Sequence, residues 1–411
     1  MSKLEELLED YCPNGVEYKK IKEVADCIAG ATPSKTKYEY WENGTIPWLS
    51  SGEVNKVEIF DTDTKITQLG YDNSSTKMVP ENTVVIALAG QGKTRGTVAI
   101  THLSLCTNQS LCSIVTKDEL NPRFLFHYLR GQYGNLRKLS SGDGGRGGLN
   151  LKIIGNIEIP VPPLPVQEEI VRILDMFTLT KNCIIKKLTD ELNIREKQYV
   201  CVEEKILSNH EQSFPSKSIG SLADTFIGLA TSTTKWKTNS GVLLLHNSDI
   251  QPGKIVLKQR EYLNPEFVKK FPKKVHKLGD IITVHTGAVG TSAIITSEYE
   301  GTIGFTTIVT RLKENSDVTA EYLCQFLNSG VCKEQINGKT ISERNNLNLK
   351  KFNEIYIPVP SKKEQLKISN LLIRNRETFN LIKANLENEI KARQKQYEYY
   401  RDKLLMFKRK A

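Results

Sequence analysis

The chain contains one segment twice, and this duplication limits the folds that it can adopt. Residues 149 to 170 read LNLKIIGNIEIPVPPLPVQEEI and residues 347 to 368 read LNLKKFNEIYIPVPSKKEQLKI, so the copies are 198 positions apart. Each copy predicts an extended apolar stretch that ends at a proline turn, because proline holds φ near −65° and disfavours helix in the residue before it. A long helix is predicted to follow each copy.

The same offset continues outside this segment. Upstream, IKEVADCIAG (residues 21 to 30) aligns with IGSLADTFIG (residues 219 to 228), and downstream the KQY at 197 aligns with the KQY at 395. The alignment slips by roughly three residues only in the middle of the repeat. Two copies are too few for a solenoid, which needs about three repeats to bury a continuous core. The predicted organisation is an N-terminal helix and loop at residues 1 to 20, a first domain at 21 to 162, a helix at 163 to 210, a second domain at 211 to 360 and a helix at 361 to 411.

Composition is that of an ordinary soluble globular chain, with 39% apolar and 25% charged residues among 411. No run of 18 apolar residues is present, and the charged N-terminus MSKLEELLEDY lacks the apolar core of a signal peptide. We therefore expect a cytoplasmic protein that does not contact a membrane. Eight cysteines without a CxxC pair, together with six scattered histidines, predict no metal site.

The net charge of +10 is concentrated in the last helix, since residues 362 to 411 carry 14 basic and 6 acidic side chains. Basic side chains neutralise phosphates, which favours a nucleic-acid partner. A solvated helix face beside a basic tail explains the same charge. Charge alone leaves both interpretations open.

Short β-branched runs separated by Gly, Pro, Asn and Ser predict strands of a mixed sheet in each repeat. Apolar residues at 3- and 4-residue spacing predict one helix per repeat between these strands. The predicted strands of the first repeat are 45 to 49, 83 to 88, 97 to 100, 111 to 115 and 153 to 159. The predicted helix is 122 to 139 in the first repeat and 319 to 330 in the second.

The two long helices carry narrow, heptad-like apolar stripes, typical of helices that pack along a partner helix. Over about 40 residues, or roughly 60 Å, neither helix can bury its stripe against its own domain. We therefore expect the two helices to pack against each other. The residues predicted for this helix–helix or subunit interface are Phe177, Leu188, Tyr199, Phe379, Leu386 and Tyr397, joined by the matched arginines Arg195 and Arg393, which are predicted to fix the register or orientation.

The predicted fold class is therefore α+β. Two similar β-rich domains are separated by two long antiparallel helices that form a coiled coil, with an internal pseudo-two-fold duplication. This order of a β-rich domain, a strand that ends in IPVP, a following glutamine (Gln167, Gln365) and a helix that ends in KQYxxxxxKxL resembles the DNA-specificity subunit of type I restriction-modification systems. The resemblance covers nearly the whole chain, in both halves and in the same order.

The resemblance implies that each domain is a target-recognition domain that reads one half of a bipartite site in double-stranded DNA. It implies that the helices fix the distance between half-sites and bind two methyltransferase (modification) subunits, and that restriction/translocase subunits join the complex. It also implies that the chemistry, with S-adenosylmethionine, ATP and Mg as cofactors, belongs to those partner subunits.

The residues are consistent with a chain that has no catalytic site. Gly92-Lys93-Thr94 looks like the end of a phosphate-binding loop, but GxxxxGK would require glycine where Ala87 stands. No Ser/His/Asp or Cys/His constellation can be proposed from spacing. Two other functions remain as alternatives: a nuclease or methyltransferase with its own site, and a non-catalytic coiled-coil adaptor that does not read DNA.

Base readout requires polar or basic side chains on loops of a rigid scaffold. Matched loops of the two repeats supply them, and a basic loop and a lysine cluster suit phosphate contact. The predicted DNA-binding residues are Lys35, Lys37, Ser50, Ser51, Lys93, Arg95 and Arg146 in the first repeat, and Lys235, Lys237, His246, Asn247, Lys273, Lys274, Arg344 and Asn346 in the second.

Overall fold

The computed structural model describes residues 2–90, 94–139, 148–211, 214–337 and 347–410. The chain divides into two compact units. Unit 1 comprises residues 1–187 and 389–411, and unit 2 comprises residues 188–388. Each unit contains one globular domain and a part of each long helix.

The first domain is built mainly on two sheets. One has five strands in the order β2-β10-β7-β8-β4, and the other has four in the order β5-β3-β9-β6. The strands are β1 (Tyr18–Lys20), β2 (Ala25–Ala29), β3 (Ile46–Leu49), β4 (Glu58–Ile59), β5 (Thr64–Ile66), β6 (Met78–Val79), β7 (Val84–Ala87), β8 (Val98–Thr101), β9 (Leu105–Thr107), β10 (Leu111–Thr116) and β11 (Glu158–Pro160).

Short helices cover these sheets. They are α1 (Lys3–Tyr11), α2 (Ile21–Val24), α3 (Gln68–Asp72), α4 (Pro122–Gly131), α5 (Tyr133–Leu139) and α6 (Leu151–Gly155). Helix α4 begins where the side chain of Asn121 accepts hydrogen bonds from two backbone N–H groups, with proline at the first helical position. Phe124, Phe126 and Leu129 of this helix are buried in the core of the domain.

The second domain repeats this plan with two four-stranded sheets, β13-β22-β19-β20 and β14-β18-β15-β21. The strands are β12 (Ser216–Ser218), β13 (Ala223–Ile227), β14 (Lys237–Thr238), β15 (Val242–Leu245), β16 (Ile250–Gln251), β17 (Lys254–Ile255), β18 (Glu261–Leu263), β19 (Ile281–Val284), β20 (Ser292–Ile294), β21 (Ile303–Gly304), β22 (Thr307–Leu312) and β23 (Tyr356–Pro358). The helices are α8 (Ile219–Leu222), α9 (Pro265–Val268), α10 (Ala320–Leu327), α11 (Gly330–Asn337) and α12 (Leu349–Asn353).

Strand pairing reproduces the sequence offset residue by residue. Tyr18 pairs with Pro160 between β1 and β11, and Ser216 pairs with Pro358 between β12 and β23. Both members of the second pair lie 198 positions after those of the first. The duplication in the sequence is therefore a duplication of structure.

The prediction of an extended strand over residues 153 to 159 is wrong in its first half. Residues 151 to 155 form helix α6, and only residues 158 to 160 form a strand. The side chain of Asn150 accepts a hydrogen bond from the backbone N–H of Ile153 at 2.9 Å, which starts a helix at this point. Asn348 caps helix α12 in the second copy through the N–H of Lys350.

The predicted helix over residues 122 to 139 is divided into α4 and α5 at Gln132, whose backbone N–H donates to the carbonyl of Leu129. The remaining predicted strands of the first repeat overlap observed strands, with ends that differ by at most one residue. The α+β class and the pair of similar β-rich domains with long helices are confirmed.

The long helices are α7 (Leu164–Glu211) and α13 (Lys362–Leu404), with 48 and 43 residues. In unit 1, the ring centroids of Phe177 and Tyr400 lie 6.0 Å apart, and Lys181 Nζ lies 4.4 Å from the ring of Tyr397. Residue numbers rise along one helix as they fall along the other, so these segments pack antiparallel. In unit 2, the rings of Tyr199 and Phe379 are stacked at 4.8 Å.

A buried glutamine joins each domain to the long helix that follows it. Gln167 Nε2 donates to the carbonyls of Glu119 and Pro162 at 2.9 and 2.7 Å, and its Oε1 accepts from the N–H of Asn121 at 2.8 Å. Gln365 makes the same three bonds in unit 2, to Asp317, Pro360 and Thr319. Each glutamine thus ties the proline turn to the N-terminus of an earlier domain helix, α4 in the first domain and α10 in the second.

Candidate nucleic-acid interface

Two pairs of matched loops carry predicted DNA-binding residues. The first loop carries Lys35 and Lys37 or, in the second domain, Lys235 and Lys237; the second loop carries Ser50 and Ser51 or His246 and Asn247. In both domains the first loop begins at a glycine that another strand passes closely. A Cβ on Gly30 would lie 2.0 Å from the carbonyl oxygen of Thr107, and a Cβ on Gly228 would lie 2.3 Å from that of Gly304. Since real Cβ atoms do not approach this closely, only glycine fits. The loops therefore leave the two domains at equivalent points.

The loop of the first domain exposes Lys35 and Lys37. Lys37 Nζ donates to the hydroxyl of Tyr40 at 2.9 Å. The loop is held to strand β3 by Trp48, whose indole N–H donates to the carbonyl of Ala31 at 3.0 Å. This contact holds the start of the loop to β3, the strand that Ser50 follows in the sequence.

The loop of the second domain exposes Lys235 and Lys237 on either side of Trp236. The Trp236 ring is stacked on Phe267 at 4.9 Å, and Lys270 Nζ lies 5.4 Å from the Trp236 ring. An aromatic side chain among lysines is a common element of nucleic-acid surfaces.

The second predicted loop adjoins the first in this domain. Glu261 Oε2 accepts from Lys237 Nζ at 2.7 Å and lies 3.1 Å from His246 Nε2. The hydrogen bond from Lys237 lowers the pKa of Glu261, with a smaller effect of His246. Lys274 Nζ donates to the carbonyl of Gly228 at 2.7 Å, which brings the lysine cluster to the same loop. The structure thus brings Lys237 and His246 together at Glu261 and holds Lys274 at the start of the loop that carries Lys237, while Lys273 is exposed beside it in the chain.

The short turns that carry the second loops are 3-10 helices, Glu53–Lys56 in the first domain and Asn247–Asp249 in the second. Ser50, Ser51, His246 and Asn247 are all half-buried there. Sequence reasoning missed the two acidic residues of these turns, Glu53 and Asp249, which are buried and accept hydrogen bonds from the loop backbone. The pattern Ser-x-x-Glu at residues 50 to 53 is a capping-box pattern, and it could have indicated the first of them.

Four predicted DNA-binding residues, Lys93, Arg146, Arg344 and Asn346, lie outside the described residues. Arg95 is described and is half-buried. Their assignment to DNA stays a prediction.

Two matching grooves run along the long helices. The groove in unit 1 has a volume of about 400 Å³ and the groove in unit 2 about 150 Å³. The unit 1 groove is lined by Phe177, Thr180, Lys181, Ile184, Arg393, Gln396, Tyr397 and Tyr400. The unit 2 groove is lined by Asn375, Thr378, Phe379, Ile382, Arg195, Gln198, Tyr199 and Val202.

Every residue of one groove is 198 positions from a residue of the other. The identities are kept at Thr180/Thr378, Ile184/Ile382, Arg393/Arg195, Gln396/Gln198 and Tyr397/Tyr199. The unit 2 groove is smaller where Phe379 replaces Lys181 and stacks on Tyr199. The chain therefore presents one surface twice.

Of the predicted interface residues, Tyr397 is buried, and Phe177, Leu188, Tyr199, Phe379 and Leu386 are half-buried. The side chains of Arg195 and Arg393 are 43% and 41% exposed. Each donates through Nε to a glutamate four residues earlier, Glu191 or Glu389, at 2.8 Å. Neither arginine is therefore a buried charge that needs a partner on the other helix. The expectation that such a buried charge fixes the register of the helices has no support in this geometry.

Among the described residues, no group of three or more His, Cys, Asp and Glu could hold a metal ion. Within the same residues, no helix is long and apolar enough to span a lipid bilayer.

Fold and surface together define a class of protein. It is a duplicated α+β chain that exposes lysine-bearing loops on each of two domains and carries one groove twice on its long helices. The family model described as type I restriction modification DNA specificity domain matches residues 13–193 and 236–392. The chain belongs to this family.

Individual relatives agree with this assignment. The chain is 29% identical over 415 residues to a putative type I restriction enzyme specificity subunit of Haemophilus influenzae, with 98% of each chain covered. It is also 29% identical over 186 residues to the EcoR124I/EcoR124II specificity subunit of Escherichia coli, where the match spans 46% of that subunit.

Solved structures show the same fold. A chain from a structure of a type I restriction-modification system superposes with a TM-score of 0.71 at 17% identity, over 96% of this chain and 98% of that one. The HsdS subunit of Thermoanaerobacter tengcongensis superposes with a TM-score of 0.59 at 15% identity, over 96% and 97%.

Proposed function

We propose that this chain is the specificity subunit of a type I restriction-modification complex. Residues 21 to 162 and 211 to 360 would each read one half of a bipartite site in double-stranded DNA. The observation that carries the proposal is the contrast between a matching scaffold and different loops. The glycine crossings and the glutamine junctions match at an offset of 198, whereas Ser50-Ser51 stands where His246-Asn247 stands in the other copy.

Two domains that recognise different DNA sequences require such a contrast between a common framework and different loops. Phosphate contacts from lysines position a protein on the duplex but carry no sequence information, whereas polar side chains at base edges supply it. The lysine-bearing loops supply the first kind of contact in both domains. The serines of one domain and the His-Asn pair of the other supply different donors and acceptors for the second kind.

The two grooves support a second part of the proposal. A surface that is repeated with five identical residues suits two copies of one partner, and we assign these partners as methyltransferase subunits. Restriction/translocase subunits would join this assembly. The chain itself would be non-catalytic, with S-adenosylmethionine, ATP and Mg bound by the partner subunits.

Methylation mapping tests the proposal. The chain is expressed with its methyltransferase in cells that lack other methylation, and modified adenines are mapped by long-read sequencing. We expect one gapped motif with two specified parts. Exchange of residues 21 to 162 for the corresponding segment of a relative should change one part of the motif and leave the other intact.

The reciprocal exchange of residues 211 to 360 is the matched control and should change only the other part. A continuous motif, or a motif that both exchanges leave unchanged, would contradict the assignment of one domain to each half-site. Absence of any methylation dependent on the chain would favour an adaptor that does not read DNA.

A further inference from the structure

A buried carboxylate closes the second loop of each domain. Glu53 is 6% exposed and Asp249 is 1% exposed. Burial of a charge is costly unless hydrogen-bond donors surround it. Each carboxylate binds the backbone of the residue three positions before it, Ser50 for Glu53 and His246 for Asp249. The side chains of these two loops differ between the domains.

In the first domain the carboxylate accepts four hydrogen bonds. The backbone N–H and the hydroxyl of Ser50 donate to Glu53 Oε2 at 3.0 and 2.9 Å. The backbone N–H of Asp63 and Nζ of Lys56 donate to Oε1 at 2.8 and 3.0 Å. Burial raises the pKa of Glu53, but the N–H groups of Asp63 and Ser50 outweigh it, so the pKa lies below its usual range.

In the second domain a shorter acid makes the same two backbone contacts. The N–H of His246 donates to Asp249 Oδ2 at 2.9 Å, and the N–H of Lys258 donates to Oδ1 at 3.0 Å. In both domains one oxygen holds the residue that follows β3 or β15, and the other holds the chain shortly before β5 or β18. The carboxylate therefore fixes both ends of the segment between these strands at once.

The backbone near both loops is held in unusual conformations. Val57 has φ 69° and follows the turn of Glu53, and Thr306 has φ 50°. Thr306 Oγ1 lies 3.5 Å from Nδ2 of Asn247, in the loop that Asp249 closes. β-Branched residues adopt positive φ only where the surroundings impose it, and such positions concentrate at functional sites.

We propose that Glu53 and Asp249 are positioning residues for DNA readout, each setting the loop of its own domain so that its half-site is discriminated. The inference rests on the proposed function. Neither carboxylate reaches a base, since both are buried. They act through the backbone at Ser50 and His246, two half-buried residues that the sequence predicts to bind DNA.

The test uses the full complex with methyltransferase subunits and the variants Glu53→Gln and Asp249→Asn. An amide keeps the size of the side chain but has one acceptor oxygen in place of two. A DNA library with single mismatches in either half of the site is methylated in competition. The readout is the ratio of methylation at matched and mismatched sites, determined separately for each half.

We expect Glu53→Gln to reduce discrimination about tenfold in the half read by residues 21 to 162 and to leave the other half unchanged. Asp249→Asn should do the reverse. The untouched half reports on folding and assembly within the same molecule. Asp61→Asn, which changes an exposed carboxylate beside the same loop, is the control variant and should change neither half.

Unchanged discrimination in the variant's own half, or an equal loss in both halves, would overturn the inference while the bipartite motif of the wild type still stands. If the amide variants do not assemble, Glu53→Asp and Asp249→Glu replace them. These variants keep the charge but change the length of the side chain. Unchanged discrimination in the half-site read by the altered domain would again overturn the inference. A wild-type complex without a bipartite motif would instead remove the proposed function.

Discussion

His276 is an ionisable residue in the interior of the second domain, with 1% of its surface exposed. Its Nδ1 lies 2.9 Å from Thr302 Oγ1, and that hydroxyl donates its own hydrogen to the carbonyl of Tyr299 at 2.7 Å. His276 Nδ1 therefore donates to Thr302. The other ring nitrogen, Nε2, is buried without a hydrogen-bond partner in the described part of the chain.

Protonation of His276 would bury a charge, so burial lowers its pKa from 6.5 to about 4. Between these values the unfolded chain binds a proton that the folded chain does not, and stability falls as pH falls. We expect the free energy of unfolding to drop by about 2 kcal/mol more between pH 7 and pH 5 in the wild type than in His276→Gln. Urea unfolding at several pH values measures this difference.

Above pH 7 the imidazole is neutral in both states, so the difference between the two proteins should there be constant with pH. An identical slope for both proteins between pH 7 and pH 5 would show that His276 does not carry this dependence.

Individual residues were predicted from the sequence where their chemistry alone was informative. Lys35, Lys37, Lys235 and Lys237 are exposed, as loop lysines are expected to be. Glu53 and Asp249 could not be found in this way, because their role depends on backbone N–H groups about ten residues away along the chain that only the folded loop brings near.

At the scale of elements, the segment LNLK shows how a local cap decides between two structures. Its apolar residues suit a strand as well as a helix, and periodicity does not separate the two over so short a run. Asn150 and Asn348 decide the outcome by capping helices α6 and α12. The proline turns and the long helices were predicted correctly because prolines and a stripe over 40 residues leave few alternatives.

The glutamine junctions yield a prediction about stability. Gln167→Leu leaves the N–H of Asn121 and the carbonyls of Glu119 and Pro162 without their partner at a buried site. We expect a loss of about 3 kcal/mol in the free energy of unfolding, because each buried group left unsatisfied costs about 1–3 kcal/mol and partial relaxation recovers some of it. Chemical denaturation measures the loss.

Gln365→Leu is the matched variant in the second copy and should cost a similar amount. Glu168→Gln changes the exposed neighbour of Gln167 and should alter stability by less than about 0.5 kcal/mol. If Gln167→Leu costs no more than Glu168→Gln, the amide does not hold the junction.

At the scale of the whole molecule, the repeated groove predicts the composition of the complex. Thr180 and Thr378 are exposed, line the two grooves and are equivalent in the repeat. Arginine at either position would fill its groove without disturbing the helix, since arginine favours helix as well as most residues do. We expect each single variant to bind one methyltransferase subunit in place of two, and the double variant to bind none, as measured by light scattering of the purified complex.

Asn182→Arg and Asn380→Arg are the controls, because these exposed residues are also equivalent but line neither groove. Both should keep two partner subunits. A double variant of Thr180 and Thr378 that still binds two subunits would place the docking surface elsewhere.

The duplication itself was visible in the sequence because the offset of 198 recurs in several separate segments of the chain. What the sequence did not reveal is that the grooves share five identical residues drawn from both helices. Each groove combines the first part of one helix with the last part of the other, so its residues are about 200 positions apart in the chain.

The close backbone crossings at Gly30 and Gly228 have a consequence for evolution. A loop that departs from a glycine shared by both copies can be replaced or lengthened while the framework behind it keeps its hydrogen bonds. Under the proposed function, changes in a few surface codons would therefore give such a gene a new target sequence. The partner subunits would need no change, because the framework that positions them stays the same.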